Sequence, residues 1–118
     1  MIIRNQDRST QRVEHMREGD GYVLSTPILP PETMYSKCRL FSHIVLEKNC
    51  EVGWHVHQGD GEAYYIIKGS GEYSDNGTMI TLNTGDAAFC FEGEGHSIKN
   101  ISDEPMEMIA LIIYSGCK

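Results

Sequence analysis

Three histidines and one glutamate in the middle of the chain have residue types and a spacing that suit metal binding. His55 and His57 lie in a β-prone run, where the period of two directs both imidazoles to one face, ~6.6 Å apart along the strand. Residues 59–61 are Gly-Asp-Gly, a strong turn sequence, so we expect the chain to reverse and bring Glu62 back on a neighbouring strand, facing the histidines. A Gly-rich bend further along precedes His96, the fourth candidate.

Three imidazoles and one carboxylate are a suitable ligand set for one divalent transition metal, which such groups bind through contacts of ~2.0–2.2 Å. A six-coordinate ion would keep two positions for water or substrate. Manganese, iron, nickel and zinc all accept these ligands, so the sequence leaves the identity of the metal open. It also leaves open a domain that keeps these residues without holding an ion, because a histidine on a strand is more often a core or surface residue than a ligand.

The elements that would position these residues are short strands. Turn sequences recur at about ten-residue intervals between β-prone runs, which is typical of an all-β sandwich or barrel. The strongest hairpin signal is Asn76-Gly77, and Pro30-Pro31 predicts an extended, non-helical connection. We expect no helix longer than one turn. The clearest predicted strands are residues 22–25, 38–47, 78–82 and 106–114.

Two stretches of the chain resemble a known family. They read His55-x-His57-x4-Glu62-x6-Gly69 and, after fifteen intervening residues, Gly85-x5-Phe91-x-Gly93-x2-His96-x3-Asn100. This pattern is similar to the two signature motifs of the cupin superfamily, in the form found in small single-domain members with the type-2 conserved barrel. The chain departs from the family pattern at Asn49, where glycine is usual, and at Phe91, where proline is frequent. Neither departure falls on a ligand position.

The resemblance implies an antiparallel double-stranded β-helix, or jelly-roll barrel, that holds one metal ion on His55, His57, Glu62 and His96. We expect residues 21–118 to form this barrel as a single domain. Residues 1–20 are expected to form a polar arm, irregular or with a short strand, that leans on the barrel. A chain of 118 residues is long enough to bury a core without disulfides.

The charge balance limits the possible partners. Ten Lys and Arg against seventeen Asp and Glu give a net charge of −7 without a basic cluster, which argues against nucleic acid and against anionic membrane surfaces. No apolar run approaches the ~20 residues of a membrane span, and the start lacks the pattern of a secretory signal, so we expect a cytoplasmic protein. Scattered cysteines would stay reduced there; a disulfide or zinc cluster is the alternative for Cys38, Cys50, Cys90 and Cys117.

The final predicted strand is apolar on both faces from Met108 onward, although a barrel wall needs only one apolar face. Tyr65 and Ile67, whose parity is opposite to that of Glu62, give the same indication. The outer face of the barrel is therefore expected to be covered. We predict a homodimer, with cover by the N-terminal arm as the competing interpretation.

Whether further residues can bind a substrate depends on which face of their strand points into the cavity. In residues 38–47 one parity carries Ser42 and Ile44 and the other carries Arg39 and His43. If the second parity faces the cavity, Arg39 and His43 are candidates to bind an anionic substrate, because a guanidinium matches carboxylate geometry. The alternative is a solvated or interfacial face. Four more residues are candidates to contact the metal ligands or to transfer protons, without an assigned catalytic role: Tyr35, Tyr64, Tyr73 and Glu94.

Two functions fit the sequence. Within the resemblance, the first is a metal-dependent enzyme acting on a small sugar or organic acid, as an isomerase or epimerase, lyase, decarboxylase or dioxygenase. Dioxygen chemistry would need iron or manganese, whereas isomerisation would tolerate zinc or nickel. The second function is a barrel that binds such a small molecule without turnover. Family analogy favours the enzyme, and the pocket is expected to discriminate, since turnover needs an acid or base beside the substrate.

Overall fold

The structure, a computed structural model, describes residues 1–116 and consists mainly of antiparallel β-strands. Ten strands alternate with short connections, and the predicted all-β class is confirmed. The strands are β1 Gln11–Glu14, β2 Tyr22–Pro27, β3 Cys38–Leu46, β4 Glu51–Val56, β5 Asp60–Lys68, β6 Gly71–Asp75, β7 Thr78–Leu82, β8 Ala87–Cys90, β9 Gly95–Lys99 and β10 Met106–Tyr114.

The strands form two sheets with a shared interior. The larger sheet has six strands in the order β1-β2-β3-β10-β5-β8, and the smaller has four in the order β4-β9-β6-β7. Several pairs of consecutive strands, such as β3 and β4 or β7 and β8, lie in different sheets, so the chain winds from one sheet to the other. This is the jelly-roll, or double-stranded β-helix, architecture that the resemblance implied.

The turn after His57 also crosses between the sheets. β4 pairs with β9 in the smaller sheet, whereas β5 pairs with β10 and β8 in the larger one. Glu62 therefore faces the histidines from the opposite sheet, and the expectation that it lies on a strand neighbouring theirs is wrong. The reason is physical: Gly-Asp-Gly indicates that the chain reverses but does not determine which strand the returning segment pairs with.

The alternation of side chains along β3 decides which of them line the interior. Ser42, Ile44 and Leu46 are buried, so His43 points to the outer face, where its Nε2 lies 2.8 Å from Oε1 of Glu107. Of the two parities that the sequence left open, the one with Ser42 faces the interior.

An apolar core fills the end of the interior where β10 begins. Leu46 lies opposite Met106 in the β3–β10 pairing, and Ile66 lies opposite Met108 in the β5–β10 pairing. All four side chains and Ile98 of β9 are fully buried. Burying side chains of this size contributes ~1.5–3 kcal/mol each before the entropy of ordering is subtracted. This end of the sandwich therefore holds the two sheets together.

Asn76 and Gly77 form the hairpin turn that the sequence predicted. Both have positive φ, 51° and 103°, as the tight two-residue hairpin turn requires. Asp75 and Thr78 lie opposite each other at the ends of β6 and β7, so the register follows directly from this turn.

Helical structure within residues 1–116 is limited to three short 3-10 turns: Asn5–Asp7, Met16–Glu18 and Pro31–Thr33. Pro30 is extended, but a 3-10 turn begins at Pro31, so the expected extended connection is only partly correct. In this part of the chain no helix has the length and apolar character that crossing a membrane requires.

The outer face of the larger sheet keeps an apolar surface. Tyr65, Ile67 and Ile113 are 49%, 38% and 40% exposed. The N-terminal arm does not supply cover for them, because β1 pairs with β2 at the edge of the sheet. Cover by the arm is therefore not supported, and the homodimer stays a prediction.

The predicted division of the chain also stays a prediction, with a barrel over residues 21–118 and an arm over residues 1–20. Cys38, Cys50 and Cys90 are buried free thiols, and burial raises the pKa of Cys90 to about 11. Residues 117 and 118, and with them Cys117, lie outside the described residues.

Candidate metal centre

Four buried side chains from both sheets meet at the end of the interior away from the apolar core. His55 lies on β4, His57 follows β4 directly, His96 lies on β9 and Glu62 lies on β5. Their exposed fractions are 8%, 2%, 0% and 5% in that order. His55 and His96 are register partners, while Glu62 faces them from the larger sheet. The fold thus brings together the four residues that the sequence selected.

The donor atoms of these residues lie close enough together to share one ion. Nε2 of His96 is 3.2 Å from Nε2 of His57 and 3.1 Å from Nε2 of His55. Oε1 of Glu62 is 3.0 Å from Nε2 of His96, 3.2 Å from that of His57 and 3.5 Å from that of His55. Ligand atoms that share one transition-metal ion through bonds of ~2.0–2.2 Å lie about 3 Å apart. The observed spacing fits a single ion.

Two of the imidazoles have their other ring nitrogen fixed by a hydrogen bond. His55 Nδ1 donates to the carbonyl oxygen of Gly53 at 2.8 Å, and His57 Nδ1 donates to Oδ1 of Asp60 at 2.6 Å. A carbonyl and a carboxylate only accept, so the proton of the neutral imidazole lies on Nδ1 and a lone pair lies on Nε2. This is the tautomer that a metal-ligating histidine needs.

Two tyrosines orient the third imidazole. The hydroxyl of Tyr73 lies 2.9 Å from Nδ1 of His96, and the ring of Tyr64 stacks on His96 with centroids 4.9 Å apart and an interplanar angle of 11°. Burial raises the pKa of both hydroxyls, so both stay neutral near pH 7. We infer that these tyrosines hold the imidazole in place and do not exchange protons at that pH.

The electrostatics of the cluster favour a positive charge at its centre. Burial raises the pKa of Glu62, but hydrogen bonds with the three imidazoles outweigh burial and hold that pKa well below its usual range. The hydrogen bond with Glu62 raises the pKa of His57, whereas burial lowers the pKa of His96. Nε2 lone pairs 3.1 Å and 3.2 Å apart repel unless a proton or a metal ion lies between them. The donor set therefore fits a divalent cation.

A cavity of about 220 Å³ opens beside three of the four residues. Its walls come from β2 to β5, from β10 and from the turn Met16–Glu18. The apolar lining residues are Met16, Leu40, Ile44, Val52, Met108, Ala110 and Ile112. The polar lining residues are Arg17, Ser25, Arg39, His55, His57, Glu62 and Tyr64. A cavity of this volume suits a molecule of few heavy atoms.

Arg39 lines this cavity although its parity on β3 points outward, because the pairing of β3 with β10 is irregular at this residue. Ile112 pairs with Leu40, but the next residue, Ile113, pairs with Cys38, so Arg39 is the extra residue of a bulge. A bulge bends the strand and changes the direction of its side chains. Arg39 therefore reaches the cavity, while His43 further along the same strand does not.

Asp60 is a site residue that the sequence did not lead us to assign. It is 5% exposed, and its two carboxylate oxygens have different partners. Oδ1 accepts from His57, while Oδ2 lies 3.0 Å from both Nε and Nη2 of Arg39. Its position three residues after a candidate ligand, His57, was a usable signal, but the flanking glycines marked it as a turn residue. Arg17 and Ser25 were also missed, since no local pattern connects them with the histidines.

The remaining sequence candidates lie away from the cavity. His43 contacts Glu107 on the outer face, and Tyr35 is 88% exposed. Glu94 accepts a hydrogen bond from the backbone N–H of Phe91 at 3.3 Å, within the bend that precedes β9. The structure records no contact between these three side chains and the four donor atoms, and none of the three lines the cavity.

Comparisons with known proteins agree with this geometry. A sequence model of the cupin domain family matches residues 42–114, which contain all four donor residues. An oxalate-binding protein from Thermotoga maritima is 38% identical over 113 residues, which are 96% of this chain and 93% of that protein.

Solved structures give the same result for the fold. The crystal structure of a predicted oxalate decarboxylase from Thermotoga maritima has a TM-score of 0.92 at 38% identity, over 97% of this chain and 99% of that one. An RmlC-like cupin from Shewanella frigidimarina has a TM-score of 0.75 at 12% identity, over 97% of this chain and 90% of that one. At that identity the second structure supports the fold alone.

Proposed function

The chain belongs to the cupin family, and from that premise we propose that it binds one divalent transition metal and with it captures a small dicarboxylate, oxalate being the first candidate. The metal ligands in this proposal are His55, His57, Glu62 and His96. The observation that carries it is the meeting of four buried donor atoms beside a small cavity. When bound, a divalent ion supplies Lewis acidity and open positions for carboxylate oxygens.

The charges around the cavity favour a dianion. Arg17, Arg39 and Glu62 line it, and Asp60 contacts Arg39 directly behind the wall. Two cationic and two anionic side chains cancel, so a divalent ion leaves two positive charges in a mainly apolar cavity, where water screens them weakly. A dicarboxylate would neutralise these charges, whereas a neutral sugar would not.

The lining favours capture over turnover. Proton transfer to or from a substrate needs an acid or base with a pKa near the working pH. The imidazoles and the carboxylate on the wall are assigned to the metal, guanidinium groups stay protonated, and burial raises the pKa of Tyr64 well above its usual value. We therefore favour a binding protein, although family analogy favoured an enzyme. Decarboxylation is the second candidate, because a structure of high similarity is described as a predicted oxalate decarboxylase.

Metal analysis and thermal denaturation test the proposal. Protein purified without a nickel resin is analysed for bound metal, then unfolded with oxalate, small keto acids or sugars, each with and without that metal. We expect one metal ion per chain and a higher Tm with oxalate only in metal-loaded protein, because a ligand of the native state stabilises it by mass action. Glu62→Gln should abolish the oxalate-dependent shift, while Glu104→Gln, at an exposed position, should keep it.

An assay for carbon dioxide separates capture from decarboxylation. Metal-loaded protein is incubated with excess oxalate and the gas released is measured. Oxalate binding without release of carbon dioxide supports capture, and many turnovers per chain would establish the enzyme instead. Protein that holds no metal and whose Tm responds to no organic acid would contradict the proposal as a whole.

A further inference from the structure

Arg39 lines the cavity although alternate residues of its set on β3, such as His43, point to the outer face. It is the extra residue of the β3 bulge, and that bulge brings its side chain to the wall of the cavity. The side chain is 43% exposed, so the guanidinium meets both the cavity and solvent. An ordinary β3 register would have directed it outward with His43.

The contacts of Arg39 leave part of its guanidinium available. Nε and Nη2 lie 3.0 Å from Oδ2 of Asp60, and a guanidinium has five N–H donors in a planar fork. Nε donates a hydrogen bond to this oxygen and Nη2 contacts it as an ion pair, and the remaining donors of the fork have no side-chain acceptor recorded in the described part of the chain. Because the fork is planar, fixing one edge on Asp60 also fixes the direction of the remaining N–H groups.

Asp60 connects this guanidinium with the metal centre. Its Oδ1 accepts from Nδ1 of His57 at 2.6 Å, so one buried carboxylate orients both a predicted metal ligand and the arginine. The carboxylate is 7% exposed, which limits its movement and its screening by water. Arg39 and His57 are thereby held in a fixed relation on the same cavity wall.

We propose that Arg39 is the residue that selects a dianion: its remaining N–H groups bind the second carboxylate of a short dicarboxylate whose first carboxylate is bound at the metal centre. This inference rests on the proposed function and deepens it, since it assigns the preference for two negative charges to one side chain. Charge-assisted bonds from an arginine fork to a carboxylate are among the strongest hydrogen bonds in proteins and are sensitive to geometry. A ligand with one carboxylate would lack this contact.

Calorimetric titration of manganese-loaded protein with oxalate and with oxamate tests this assignment. Oxamate has nearly the shape of oxalate but an amide in place of one carboxylate. We expect Arg39→Gln to weaken oxalate binding about tenfold or more and oxamate binding much less, because only oxalate offers a charged acceptor. Arg39→Lys keeps the charge without the fork and should fall in between. Arg12→Gln removes a guanidinium outside the cavity wall and should leave both affinities unchanged.

Metal content distinguishes selection from a structural role. Each variant is analysed for manganese and for its far-UV spectrum, and folded variants with normal manganese content but a reduced oxalate-to-oxamate ratio support the assignment. An unchanged ratio in both Arg39 variants, or an equal loss of the two ligands together with the metal, would overturn it. Wild-type protein that binds manganese but prefers oxamate would overturn it and leave the metal site standing. Failure of the wild type to bind manganese, iron, nickel or zinc would overturn the proposed function as well.

Discussion

The two ends of the sandwich interior are built from the same strands but hold opposite kinds of side chain. On β5, Glu62 lies at one end and Ile66 at the other, and both point inward. On β9, His96 is followed two residues later by Ile98, again on the inner face and again fully buried. The position of a residue along its strand therefore decides whether it lies at the polar end or at the apolar end.

This contrast separates stability from function within one small domain. The apolar end gains free energy from burial without needing a partner. The polar end buries three imidazoles and a carboxylate whose donor atoms contact mainly one another, which is unfavourable unless a cation compensates them. We therefore expect substitutions at the two ends to have different consequences, with the apolar end determining the free energy of unfolding and the polar end determining metal affinity.

The largest effect is expected at the apolar end. Leu46→Ala removes a fully buried side chain opposite Met106, and such substitutions lower the free energy of unfolding by ~2–5 kcal/mol. Chemical denaturation measures this loss, and metal content should stay normal while the protein is folded. Leu24→Ala, at a partly buried position on β2, is the matched control and should lose less. Equal losses at the two positions would show that the apolar end does not contribute more to the free energy of unfolding than a partly buried position does.

The second effect is the loss of metal at the polar end. His57→Ala removes one donor and also leaves Asp60 without its imidazole partner, so most of the bound metal should be lost. Elemental analysis after dialysis measures the metal content, and the far-UV spectrum should remain that of a folded β protein. His43→Ala, which removes an imidazole on the outer face, should keep the metal. Full stoichiometry in His57→Ala would count against the assignment of the ligands.

The all-β class, one hairpin and the shared face of two candidate donors could be predicted because they depend on local patterns. His55 and His57 share a face through the period of two, and Asn76-Gly77 determines its hairpin through the φ values it permits. The motif spacing then indicated which distant histidine belongs with them. The face shared by the two histidines and the hairpin each follow from a few adjacent residues, whereas the jelly-roll architecture and the place of His96 came from the resemblance of the motif spacing to the cupin family.

The pairing of strands and the cavity wall could not be predicted, because they depend on contacts between distant residues. Gly-Asp-Gly indicated a reversal, yet Glu62 lies in the other sheet from His57. The bulge that brings Arg39 to the cavity depends on how β3 pairs with β10. The sequence around Arg39 does not predict that pairing, because β10 is distant in the chain. Arg17 reaches the wall from the turn Met16–Glu18, in a segment that the sequence indicated only as a polar stretch.

A smaller effect is expected for Asp60, which is not one of the four donor residues but holds one of them, His57, by a hydrogen bond. Asp60→Asn keeps the size of the side chain but removes the charge that fixes His57 Nδ1–H and binds Arg39. Changing such supporting groups typically lowers metal affinity by ~10–100-fold, and competition with a fluorescent chelator measures it. Asp103→Asn, at an exposed carboxylate that pairs with Lys48, should have no effect on the metal. A normal affinity in Asp60→Asn would mean that this hydrogen bond does not support the ligand.

The smallest effect is expected for Tyr73→Phe, which removes only the hydroxyl beside His96 Nδ1. When Nε2 of His96 binds a cation, Nδ1 keeps its proton and donates a hydrogen bond to the hydroxyl oxygen of Tyr73. That hydroxyl stays neutral because burial raises its pKa. Without the hydroxyl that N–H is left unpaired in the interior, at a cost of ~1–3 kcal/mol that is shared between folding and metal binding. The same chelator competition should show a loss of affinity smaller than that of Asp60→Asn, while Tyr65→Phe on the outer face should show none. A larger loss in Tyr73→Phe than in Asp60→Asn would reverse this ranking and make the hydroxyl, not the carboxylate, the main support of the polar end.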